Sequence, residues 1–230
     1  MMRMPGRKIL RRALRPVRRR FFPGAVVLGY HRVADGPWDP LGLQVGLRHF
    51  GEQLDALREL RTVISVEELV QRRAEGEPLD RFAVLTFDDG YEDFADTVVP
   101  MARAADVPVT VFVASGCTGG AFWWEELVAL LAPSVPGQAR LEIECAGAEE
   151  LRFEGMDSPE VRRWAVNEIG ARLSRAEPAM VEAVLGQLRS WVALPEAVAP
   201  AAAPMSAAAL AEVVRDPHVE IGAHTVSHCF

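Results

Sequence analysis

The chain has 230 residues, half of them hydrophobic and a quarter charged, with 25 Lys+Arg against 32 Asp+Glu for a net charge of −7. Those proportions fit an ordinary globular protein and exclude a collagen, a low-complexity chain and a long coiled coil. No stretch reaches the ~18 consecutive apolar residues that a membrane span requires. The charge is unevenly spread. Residues 1–20 hold nine Lys+Arg and no acid, which leaves 16 basic against 32 acidic residues in 21–230. The basic start has the charge of a signal-peptide n-region, but Phe21-Phe22 runs straight into Pro23-Gly24 and no apolar h-region follows. Residues 1–22 therefore read as a separate basic arm. It is either a solvated tail or a peripheral contact with acidic lipid. No nucleic-acid motif accompanies it, and no nucleic-acid partner is expected. The three cysteines, Cys117, Cys145 and Cys229, form neither a disulfide framework nor a CxxC knuckle. A reducing cytoplasm is the expected compartment, with membrane association through the arm as the variant of that reading.

The elements follow in order. Ala25 to Tyr30 is short, apolar throughout and partly β-branched, as a strand buried on both faces should be. It ends at His31-Arg32, and a Gly/Pro/Asp loop runs from Asp35 to Leu43. Residues 48–60 predict a helix with Phe50, Leu54, Leu57 and Leu60 near one face. Thr62 to Ile64 predicts a strand, and Ser65 caps the next helix, whose first turn carries Glu67 and Glu68. Arg81 to Phe87 is a third strand that stops at Asp88-Asp89-Gly90, with a helix after Tyr91. Val109 to Val113 is a fourth. This alternation is the pattern of βα units on a parallel sheet.

From Phe122 to roughly Pro204 the pattern changes to mainly helical and reads as a helical insertion. Ser158 and Pro159 open one of its helices, and a Pro-rich stretch from Ala193 to Pro204 forms a stiff linker. Ser206 then caps a short helix, and Val219 to Ala223 is the fifth strand. It leads directly into His224-Thr225-Val226-Ser227-His228.

Two groups of residues invite chemistry. Asp-Asp-Gly alone is ordinary turn sequence. Here, however, both carboxylates sit at the C-terminal end of a buried strand, where α/β folds place their active sites. Adjacent like charges are costly unless a proton or cation relieves them. One divalent metal would do so and leave the other carboxylate as a base. His224 and His228, at i and i+4, leave one face of a helical turn and suit a shared metal ion. In a parallel sheet both groups open on the same edge. One Asp and two His make a three-ligand set with room for water.

Thr86-Phe87-Asp88-Asp89-Gly90-Tyr91, followed downstream by the His224 to His228 motif, closely resembles the polysaccharide deacetylase family (the NodB-homology, carbohydrate esterase 4 group). Tyr30-His31-Arg32, Phe112-Val113 and Phe122-Trp123-Trp124-Glu125-Glu126-Leu127 add to the resemblance, which covers most of 25–230. It implies a distorted (β/α) barrel carrying the helical insertion, and metal-dependent hydrolysis of N-acetyl groups on a glycan or polysaccharide. On the matching positions Asp88 is the general base, and Asp89, His224 and His228 hold a divalent metal, expected to be Zn2+. His31, Tyr91 and Trp123 are weaker candidates for contact with the sugar. The family pattern continues past the two-histidine motif with further βα units. Residues 23–230 are therefore expected to be a partial domain, an incomplete barrel whose fifth strand leaves an open edge, with weak metal binding and impaired activity.

Two other readings stand beside this one. One is a non-catalytic degenerate barrel that binds a glycan or a partner protein. The other, a metal-free glycoside hydrolase, fits poorly, because adjacent aspartates need not flank a sugar ring at the roughly 5–10 Å such mechanisms use.

Overall fold

The computed structural model describes residues 24–145, 150–193 and 198–226. The basic arm at 1–22, His228 and Cys229 lie outside the described residues.

Five parallel strands form the main sheet. β1 (Val26–Tyr30), β5 (Phe82–Phe87), β6 (Val109–Val113) and β9 (Val219–Ala223) lie side by side in that order, and β4 (Thr62–Val63) pairs with the start of β5. Two short strands, β2 (Arg32–Val33) and β3 (Gln44–Val45), bracket the loop after β1. Every residue of β5 is buried, as its unbroken apolar run requires. The two outer strands are less covered: Val27 on β1 is 57% exposed and Ile221 on β9 is 38% exposed. Among the described residues β9 pairs with β6 alone. No helix among them is long and apolar enough to cross a membrane.

Helices pack along the sheet. α1 (Leu47–Leu60) buries Phe50 and Leu54, while Leu60 at its end is exposed. Phe50 and Phe87 meet edge to face, and Phe87 stacks on Tyr30 at 5.1 Å between ring centres. α2 (Val66–Ala74) begins at Ser65, whose hydroxyl oxygen accepts from Glu68 N at 3.1 Å. After β5 the chain enters a π-helical turn, Phe94–Val98, that continues into α3 (Val99–Ala105). Pro100 has no N–H to donate to the usual helical pattern, and Val99 N instead reaches back five residues to Phe94 O.

The region from 122 onward has its own core. α4 (Trp123–Leu130), α5 (Pro159–Leu173) and α6 (Pro178–Trp191) bury Leu127, Ile169, Val184 and Leu188 together. Beside these helices the region holds a hairpin that the mainly helical pattern does not announce. β7 (Arg140–Ile143) and β8 (Leu151–Glu154) pair antiparallel, with Leu141, Ile143, Leu151 and Phe153 turned inward and charged residues outward. Each strand shows only two periods of alternation, too short to stand out beside long helical patterns. The end of the Pro-rich stretch is tied to the residues after the acidic turn. Tyr91 and Pro204 form an antiparallel bridge, and Glu92 N donates to Ala203 O at 2.9 Å. α7 (Ala207–Val213) follows, capped by Ser206 as expected.

Candidate active site

The strand registers decide what meets what. Tyr30 pairs with Phe87, and Val113 pairs with Ala223, so the ends of β1, β5, β6 and β9 open on one edge of the sheet. His31, Asp88, Ala114 and His224 are the next residues of those four strands.

Asp88 is half-buried, and its backbone N–H donates to Tyr30 O at 2.9 Å. Asp89 is 2% exposed and has φ 71°, in the left-handed region that costs a side-chain-bearing residue strain. Gly90 follows with φ 84°, and a Cβ there would lie 3.2 Å from Val113, so the position calls for glycine. The turn is fastened on both sides: Ala114 N donates to Asp89 O at 3.1 Å, and Met205 N to Gly90 O at 2.9 Å. These bonds hold the strained backbone and aim the Asp89 carboxylate along the sheet edge.

His224 is fixed by the strand before it, its N–H donating to Val113 O at 2.9 Å. Its Nε2 lies 3.5 Å from Asp89 Oδ1. Two donor atoms each ~2.1 Å from a tetrahedral zinc stand roughly 3.4 Å apart. One carboxylate oxygen and one imidazole nitrogen at this spacing therefore fit two positions of one metal ion. Thr225 follows with φ 61°, the second non-glycine residue in the left-handed region at this edge. Among the described residues no cluster of three metal-ligating side chains forms. The third expected ligand, His228, lies outside them.

The weaker candidates divide. His31 is half-buried at the end of β1, one residue past the partner of Phe87 and beside Asp88. Trp123 is partly exposed, with its ring edge-on to Trp124 at 5.5 Å. Tyr91 is fully buried, which corrects the expectation that it contacts sugar: its ring packs on Phe122 at 4.6 Å and offers no face to a ligand. Cys117 is not a poised nucleophile, because burial and, after it, the charge of Asp89 raise its thiol above the ordinary range.

Tyr91 belongs instead to a buried polar network behind the acidic turn. Its hydroxyl donates to Glu125 Oε1 at 2.9 Å and accepts from Trp124 Nε1 at 2.6 Å. Arg32 lies over the Tyr91 ring at 5.1 Å, donates from Nε to Asp93 Oδ2 at 2.9 Å, and places Nη1 3.8 Å from Glu125 Oε1. Burial, helped by the charge of Glu125, holds the Tyr91 phenol well above its usual range, so it stays a donor. Burial likewise raises Glu125 and Asp93, and Arg32 opposes the shift in both. In the sequence Arg32 and Glu125 stand out only as parts of motifs, and nothing there marks Asp93. The one local signal was a glutamate on the apolar side of a short helix, where an unpaired charge would be costly.

The polysaccharide deacetylase family model matches residues 75–210. The chain belongs to the polysaccharide deacetylase family. The match takes in Asp88 and Asp89 and ends before His224. Among solved structures, the chain is similar to IcaB from Ammonifex degensii at 26% identity over 46% of this chain and 47% of that one, with a TM-score of 0.38. It is similar to the Streptococcus pyogenes deacetylase PplD, solved in complex with acetate, at 22% identity over 43% and 46% of the two chains, with a TM-score of 0.35. A de-N-acetylase from Aggregatibacter actinomycetemcomitans matches at 16% identity over 68% and 59%, with a TM-score of 0.37. The chain spans about half the length of these relatives. No curated protein matches it.

Proposed function

We propose that this polysaccharide deacetylase chain removes N-acetyl groups from a glycan, hydrolysing the amide to acetate and a free amine with a divalent metal, zinc by preference. The observation that carries the reading is the 3.5 Å approach of His224 Nε2 to Asp89 Oδ1 at the strand ends beside Asp88. Asp89 and His224, joined by His228, hold the metal in this reading. A divalent metal held by these residues would supply Lewis-acid chemistry for the acetyl carbonyl and for a water. Asp88, half-buried at the same edge, takes the proton from that water as it adds to the carbonyl carbon. The C–N bond then breaks, and the departing nitrogen must gain a proton to leave as an amine. His31 and Trp123 contact the glycan in this reading. The basic arm, with nine Lys+Arg in residues 1–20, meets acidic lipid headgroups.

Zinc titration by calorimetry, with acetate release from an N-acetylated oligosaccharide followed in parallel, tests this. The wild type binds one zinc per chain weakly and releases acetate slowly, and Asp89→Asn abolishes both. Zinc binding that Asp89→Asn leaves intact overturns the ligand assignment. Binding in neither protein favours the non-catalytic glycan- or partner-binding reading.

A further inference from the structure

The buried network joins three parts of the chain that meet only in the folded protein. Arg32 is the second residue after β1, Tyr91 and Asp93 follow the acidic turn, and Trp124 and Glu125 lie in the first turn of α4. Arg32, Tyr91, Trp124 and Glu125 are all buried. A buried glutamate is costly unless it is paired. Arg32 reaches from it to Asp93, so the charged groups of the three segments stand as one unit.

The bonds of this unit converge just past strained backbone. Asp89 and Gly90 both hold positive φ, a conformation that persists in a non-glycine residue only where its surroundings over-determine it. On the near side Asp88 N is tied to Tyr30 O. On the far side the anchors are side chains. The Tyr91 hydroxyl is held between Glu125 and Trp124, and Asp93 is held by Arg32. Tyr91 stands two residues after Asp89. A shift of its ring is therefore carried through Gly90 into the Asp89 backbone, which aims the carboxylate at His224 Nε2, 3.5 Å away.

We propose that Glu125 is a positioning residue for the metal site. Through Tyr91 it fixes the acidic turn, and with it the approach of Asp89 to His224, while making no hydrogen bond to either among the described residues. This rests on the reading of Asp89 and His224 as metal ligands. The inserted region is then part of the site, because α4 supplies the acceptor that holds the turn. Partners that orient metal ligands typically carry about 10–100-fold in metal affinity.

The test compares Glu125→Leu, Tyr91→Phe and Glu125→Gln in the 230-residue chain. Leucine removes the acceptor for the Tyr91 hydroxyl, whereas the glutamine amide oxygen keeps one. Nuclear magnetic resonance of the metal-free, nitrogen-labelled chain reads the His224 ring, and titration reads zinc affinity. Glu125→Leu and Tyr91→Phe are expected to shift the His224 Nε2 resonance and to weaken zinc binding at least tenfold. Glu125→Gln is expected to leave the resonance in place and zinc affinity within threefold. Ile64→Ala, which opens a cavity beside Phe82 and Val84 near the start of β5, controls for lost stability alone and should leave both readouts unchanged. Denaturant unfolding reports whether each variant is folded, and Tyr91→Phe decides if Glu125→Leu is not. An unmoved His224 ring and unchanged zinc affinity in the folded variants overturn the proposal, as does an equal change in Ile64→Ala or a loss in Glu125→Gln as large as in Glu125→Leu. A wild type that binds no zinc overturns the metal reading instead, and the His224 resonance then decides the positioning role by itself.

Discussion

Replacing Tyr91 with Phe removes one oxygen from the centre of the buried network and nothing else. That oxygen donates to Glu125 at 2.9 Å and accepts from the Trp124 indole at 2.6 Å, in a residue with no exposure to solvent. A hydrogen bond to a charged carboxylate contributes about 1.5–3 kcal/mol, and a neutral one about 0.5–1.5 kcal/mol. The ring stays and leaves no large cavity, so the two bonds set the cost at about 2–4 kcal/mol. For a domain of this size each kcal/mol moves the melting temperature by about 2–4 °C, which puts the shift at roughly 5–15 °C. Denaturant unfolding of wild type, Tyr91→Phe, Glu125→Gln and the double variant measures both the loss and the coupling between the two residues. A loss below about 1 kcal/mol, or strict additivity of the two substitutions, refutes the account of the network as a cooperative unit.

Three further outcomes are expected. Gly222→Ala places a methyl group 2.4 Å from the Phe112 ring where β9 lies on β6, so it should destabilise by about 1–3 kcal/mol in denaturant unfolding, whereas an unchanged midpoint would show that the strand simply shifts. Glu125 is raised by burial, with Arg32 and Tyr91 opposing and Asp93 and Asp39 reinforcing the shift. The folded state therefore holds its proton more tightly than the unfolded chain, whose glutamate titrates near ~4.3. Stability then falls as pH rises from that unfolded value through the raised folded one, and Glu125→Gln should flatten this part of the stability profile; parallel wild-type and variant profiles from pH 4 to 8 would count against it. Asp88→Asn should lower acetate release about 10²–10⁴-fold while zinc affinity, measured by competition with a chelator, changes less than tenfold; a collapse of zinc affinity would make Asp88 a ligand rather than a base.

Local signals carried much of this architecture. Phe82 to Phe87 is fully buried as its unbroken apolar run demands, and Ser65, Ser158 and Ser206 each cap the helix they precede. Such features depend on residues within a few positions of one another, so they are legible before any tertiary contact is known. The hairpin at Arg140–Ile143 and Leu151–Glu154 was hidden because each strand is too short to declare its period.

By itself the sequence determined that an acidic turn ends a buried strand, that a histidine motif follows another, and that a parallel sheet would bring both to one edge. Only the tertiary structure decided that Asp89 and His224 approach to 3.5 Å, because that distance depends on β6 standing between their strands and on backbone bonds that hold Asp89 at positive φ. It also decided the role of Tyr91. A tyrosine beside an aspartate pair reads as surface chemistry until Phe122, Trp124 and Glu125, more than thirty residues later, close over it. The burial of Glu125 is tolerable only with Arg32 and Tyr91 as partners, and partners that distant in the chain leave no periodic trace in it.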